Sequence, residues 1–137
     1  MSTLRLGTIQ DQAGGNASTT NEIYSGRAKA WVNFDGTTGS GTGFSDITIY
    51  SSFNVDSITD NGGGLYTLNF TNSMPDANYV VIGTTGTRTG SPPTLGSGSA
   101  VGLVLNINAT TSNFDFGTID RNTSALDAER VNIAVFH

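Results

Sequence analysis

The sequence predicts an all-β protein: a single antiparallel β-sandwich, or barrel-like, domain over residues 25–137, preceded by an extended N-terminal arm over residues 1–24. Three observations carry that expectation. Apolar and polar residues alternate in short runs, the period-2 pattern of half-buried strands. The runs are rich in β-branched and aromatic residues and are bounded by Gly, Asn, Asp or Pro. No stretch between them holds the 3.6-residue periodicity of a helix of ordinary length.

Taken in chain order, residues 1–24 hold Leu4, Leu6 and Ile9, then a polar stretch, then Thr19 and Glu22 at the spacing of a capping box that starts only a very short helix. Sparse apolar residues in an extended segment gain order by docking on a larger surface, so this arm is expected to attach the domain to its surroundings. In residues 28–34, Ala28, Ala30, Val32 and Phe34 point one way, and Lys29, Trp31 and Asn33 the other. The runs DITIYSSFNV, LYTLNFT, YVVIGTT, VGLVLNINA, SNFDFGTI and RVNIAVF repeat the pattern, for about seven or eight strands. Asn61-Gly62 lies between two such runs, and an Asn-Gly step suits consecutive positive φ angles. Strands over 53–58 and 65–71 are therefore expected to pair as an antiparallel hairpin. Tyr66, Leu68 and Phe70 share one face, and Val101, Leu103, Leu105 and Ile107 another; these are the expected core. Residues 84–99, with several Gly, the adjacent Pro92 and Pro93 and no alternation, read as one long surface loop. Arg88 is its only charge, and Arg88, Pro92 and Pro93 are the residues expected to touch a receptor.

Composition narrows the function. Charged residues make up 12% of the chain, about half the usual share. Twelve aromatic residues and a net charge of only −5 argue for a folded chain. The six basic residues are scattered singly, without a cluster that would neutralise a phosphate backbone, so nucleic acid is not an expected partner. No apolar run approaches the roughly 20 residues that span a bilayer, and the first residues form neither a signal peptide nor a lipidation motif, so neither membrane insertion nor secretion is expected. Without cysteine there are no disulfides or thiolate zinc sites, leaving core burial and subunit association as sources of stability.

Catalytic chemistry finds little footing. The single histidine is His137, at a chain end where a general base is hard to hold in position. Asp56 with Asp60, or Asp115 with Asp120, resembles a glycosidase pair only in residue type, and Asp beside strand ends ordinarily serves turns. The glycines at 36, 39, 41 and 43 precede no amphipathic helix, which a phosphate-cradling loop requires. Calcium-loop spacing is absent, and no cofactor is expected. Asn-x-Ser/Thr triplets begin at Asn16, Asn69, Asn108 and Asn122, as an Asn/Thr-rich chain produces by chance. Trp31, outward beside Lys29, suits either an aromatic platform for a ligand or an anchor in a subunit interface; Trp is enriched in interfaces, which favours the second.

The blocks GRAKAWVNFDGT, SSFNVDSITDNGGGLYTLNFTNSMPDANYVV and VNIAVF, in this order across residues 23–136, resemble bacteriophage structural modules of the cyanophage tail-fibre C-terminal type. The resemblance implies a virion protein without catalytic residues, assembled in the host cytoplasm, homotrimeric and in contact with other tail or capsid proteins. It leaves a tail-fibre module for assembly and host attachment as the leading expectation, with capsid decoration as the alternative. A carbohydrate-binding adhesin using Trp31, Tyr50, Tyr66 or Tyr79 on a host glycan is a further alternative, and a polysaccharide-degrading spike a remoter one. Leu4, Leu6, Ile9 and Trp31 are the residues expected at subunit or particle interfaces.

Overall fold

The computed structural model describes residues 7–10, 14, 17–39, 46–86, 100–120 and 124–137, with 100, 101 and 103–107 as backbone alone. The elements among them are β1 (Thr8–Ile9), β2 (Ser18–Thr19), α1 (Thr20–Gly26), β3 (Ala30–Asp35), β4 (Thr48–Phe53), β5 (Val55–Asp60), β6 (Leu65–Phe70), β7 (Val80–Gly86), β8 (Ala100–Ile107), β9 (Asn113–Asp120) and β10 (Arg130–Phe136). The protein is all-β and antiparallel, as its alternation predicts. Two four-stranded sheets, ordered β4-β3-β10-β7 and β5-β6-β9-β8, face a shared core, and β1 pairs with β2 in a separate two-stranded ladder.

The hairpin forms at the expected place but not by the expected consecutive positive φ angles, because Asn61 keeps a φ outside the positive range. β5 pairs with β6 around residues 61–64, where Gly62 and Gly64 take the positive φ angles that only glycine adopts without strain. Thr19 is the N-cap of α1, and the reciprocal bonds of a capping box join it to Glu22. The helix runs for seven residues and buries none of them.

Alternation builds the core. Ala30, Val32 and Phe34 of β3 and Val131, Ile133 and Val135 of β10 pack from one sheet, while Ile58, Tyr66, Leu68, Phe70, Phe114 and Phe116 pack from the other. Phe34 crosses between the layers, with ring centroids 5.4 Å from Tyr66 and 6.1 Å from Phe116, both edge-to-face. Tyr66, Leu68 and Phe70 are thus core residues, as their shared parity predicts. Val101, Leu103, Leu105 and Ile107 lie in β8, and their side chains are outside the described residues.

Two element boundaries differ from the sequence expectation. The run DITIYSSFNV is two strands in two different sheets, separated at Asn54, whose φ of 55° turns the chain from one layer to the other. Asparagine tolerates this left-handed conformation because its short polar side chain finds local partners. Its Nδ2 donates to the carbonyls of Lys29 and Asn72, and its Oδ1 accepts from the Asn72 backbone N–H. Asn54→Ala is expected to lose about 2 kcal/mol in chemical denaturation, from left-handed strain plus lost bonds. Asn54→Gly should lose less, because it removes the bonds and not the conformation. The second difference lies at residues 84–86. The expected strand YVVIGTT and the expected loop overlap at Thr84 and Thr85, and both of these, with Gly86 beyond the run, pair with Asn132, Val131 and Arg130 as the end of β7. The rest of the expected loop, including Arg88, Pro92 and Pro93, lies outside the described residues.

Candidate functional site

Antiparallel register lines up side chains in rows across the outer face of the β4-β3-β10-β7 sheet. Phe53 stands opposite Trp31, Trp31 opposite Ala134, and Ala134 opposite Ile82, giving an apolar row over all four strands. Four strands at their usual spacing make that row about 14 Å wide. Val80, paired with Phe136, extends it along β7. Phe53, Val80 and Ile82 are 55%, 60% and 53% exposed, and Trp31 is 38% exposed. Such contiguous apolar exposure is uncommon on a monomer and marks surfaces that meet something else.

The next row is polar. Ser51, Asn33, Asn132 and Thr84 stand in register across the same strands. Asn33 Nδ2 donates to Asn132 Oδ1 at 2.5 Å, and Asn132 Nδ2 donates to Thr84 Oγ1 at 3.2 Å. Bonds along the row hold these amides in one arrangement, so the outer face presents a fixed apolar band beside a fixed polar one. Trp31 therefore occupies the outward position its parity predicts. Ile9, in β1, is also exposed, whereas Leu4 and Leu6 lie outside the described residues.

Of the tyrosines considered as glycan platforms, two are corrected. Tyr66 is fully buried, and Tyr79 nearly so, with its hydroxyl 2.9 Å from the Thr110 carbonyl and 3.1 Å from that of Asn113; neither ring face meets a ligand. Tyr50 remains partly exposed and donates to Asp35 Oδ2 at 2.8 Å.

Tyr66 instead anchors a buried polar knot. Its hydroxyl lies 2.8 Å from Asp127 Oδ1 and 3.0 Å from the Gly36 carbonyl, so one proton serves two acceptors. The same carboxylate oxygen accepts from the Gly64 N–H. Burial, then the bond to Asp127 and the negative charges of Asp127 and Asp60, holds the Tyr66 hydroxyl far above the usual tyrosine range. Such a phenol stays protonated and donates; it does not act as a base.

The carboxylates considered as pairs do separate local work. A bulge between Val55 and Ser57 shifts the strand parity, leaving Asp56 exposed and Asp60 buried. Asp60 Oδ1 accepts from the Gly62 N–H inside the hairpin. Asp115 accepts from Thr67 Oγ1 at 2.6 Å and Asn108 Nδ2 at 3.1 Å, while Asp120 accepts from the Ser124 N–H. His137 Nε2 sits 3.2 Å from Asp76 Oδ1. The Asn78 N–H first, and His137 after it, hold the Asp76 carboxyl below its usual range. Among the described residues, no group of three or more His, Asp or Glu is placed to hold a metal ion. No protein-family model, curated protein or solved structure matches the chain.

Proposed function

We propose that this chain is a non-enzymatic structural module of a bacteriophage virion, of tail-fibre type, which associates as a homotrimer and serves particle assembly and host attachment. The row of Trp31, Ala134 and Ile82, continued by Val80, is the observation that carries this reading. A rigid sheet face with apolar side chains in register is suited to packing against another flat face, because its side chains are already ordered and lose little entropy on contact. The resemblance of residues 23–136 to phage fibre modules supports the same reading, and the local duties of the carboxylates favour contact over turnover.

The test is the oligomeric state, followed by particle location. Trp31→Glu with Ile82→Glu should weaken self-association by about a thousandfold, because burying two charges replaces two anchors of about 2 kcal/mol each. Light scattering should then report a monomer, and circular dichroism a folded β domain that melts below the wild-type trimer, because association no longer adds to its stability. Electron microscopy of the virion should find wild-type protein on the particle and the double variant missing. A wild-type chain that stays monomeric at micromolar concentration and takes no place on the particle would overturn the proposal.

A further inference from the structure

Arg27 and Lys29, two of the six basic residues in a chain of net charge −5, converge on one aromatic ring. The Arg27 guanidinium carbon is 5.6 Å from the centroid of the Tyr24 ring, and the Lys29 ammonium is 3.4 Å from it. Local structure explains the convergence. α1 ends at Gly26, and Arg27 takes the extended C-cap position, which brings the chain back beside the last helical turn. Lys29 Nζ then donates to the Tyr24 carbonyl, one of the acceptors a helix end leaves open. These contacts hold the cations in place without neutralising them. Among the described residues neither is ion-paired, although acidic residues outnumber basic ones in the chain.

The pair stands on an open groove of about 290 Å³ where the end of α1, the end of β4 and residues 73–75 meet. Phe53, at the edge of the outer face, supplies an exposed ring. Asn72 and Ser73, both exposed, stand beside it with polar side chains. A cation pair with no ion partner among the described residues, an aromatic face and Ser73 in one groove, with Asn72 in the adjoining hollow that shares Lys29 and Phe53, fit a ligand carrying an anion, an apolar face and hydroxyls.

We propose that this groove binds a carboxylated sugar residue of an acidic polysaccharide, with its carboxylate between Arg27 and Lys29, its C–H face on Phe53 and its hydroxyls toward Asn72 and Ser73. Nucleic acid is a poorer fit, because its dense phosphate charge needs a long basic track and meets an acidic protein here. An acidic peptide would use the cations but has no need of the ring and the neutral rim. The proposal rests on the reading of the chain as a contact module, and its test is arranged so that each can fail alone.

Isothermal titration of the full chain with short galacturonic acid oligomers, their methyl esters and polyglutamate provides the measurement. The acid oligomers should bind, and the methyl esters should bind at least about tenfold more weakly, since a charge-assisted bond to each cation is lost. Arg27→Gln with Lys29→Gln should lose a similar factor, and Phe53→Ala should weaken binding as well, with melting temperatures unchanged. Equal binding of acid and ester, wild-type binding by the Arg27/Lys29 variant, or polyglutamate binding as tight as the sugar's would each overturn the proposal. Absence of acid-oligomer binding would overturn it too. Particle incorporation of the Arg27/Lys29 variant reads the assembly proposal separately, because it does not depend on this groove.

Discussion

Gly64→Ala is expected to cost about 3–4 kcal/mol of folding stability, whereas Gly63→Ala one position away stays within about 0.5 kcal/mol. Gly64 has a φ of 72°, a left-handed conformation that costs an alanine about 1–2 kcal/mol. The surroundings add a second term. A Cβ at Gly64 would lie 2.7 Å from the Thr118 carbonyl oxygen and closer still to the Leu126 nitrogen. Both are backbone atoms tied into hydrogen bonds, since Leu126 N–H donates to Thr118 O and Thr118 N–H donates to Gly64 O. The clash cannot be relieved by rotating a side chain, so the hairpin, β9 and residues 124–128 must shift together. At Gly63 a Cβ would meet nothing within 4 Å. Denaturant midpoints of the two variants measure the contrast, and equal midpoints would mean that the β5–β6 turn is not packed against residues 118–126.

The contrast between these glycines marks what sequence can carry. Both belong to the same Asn-Gly-Gly-Gly run, and the run announces a turn, but only long-range packing separates the position that is crowded from the one that is open. Alternation was sufficient for Trp31 outside, Val32 and Phe34 inside, and for Tyr66, Leu68 and Phe70 in the core, because strand parity is a local property. It failed wherever one residue broke the parity. The bulge at Asp56 and the left-handed Asn54 leave composition unchanged and reverse or divide a face. Thr84 and Thr85 close the run YVVIGTT, whereas Gly86 joins β7 beyond it because β10 offers a partner, not because a glycine fits a strand pattern. The outer apolar row was half visible: Trp31 is outward by parity, but its neighbours Phe53, Ala134 and Ile82 come from β4, β10 and β7, and register alone brings them into line. Arg27 and Lys29 read as scattered charges until the end of α1 puts them on one ring.

Tyr66→Phe is expected to lose about 2 kcal/mol at neutral pH and to recover that deficit relative to wild type in alkali. The neutral loss follows from the knot. Without the hydroxyl, the Gly36 carbonyl loses its side-chain donor and Asp127 retains the Gly64 N–H with no phenol beside it. The alkaline behaviour follows from the raised Tyr66 pKa. In the unfolded chain the phenol ionises near pH 10, while in the folded chain burial and the neighbouring carboxylates keep it protonated. A group raised in this way contributes its full stability below the unfolded value, and that contribution falls as pH climbs above it, by about 1.4 kcal/mol per pH unit. Burial raises the Tyr79 hydroxyl as well, so the variant still shows some alkaline loss, but with one proton fewer in the slope. A deficit of about 2 kcal/mol divided by that slope brings the two stability curves together near pH 11.5. Denaturant titrations at intervals from pH 7 to that point test it. Curves that stay parallel throughout would mean that Tyr66 ionises in the folded chain as readily as in the unfolded one, which a phenol buried against Asp127 does not do.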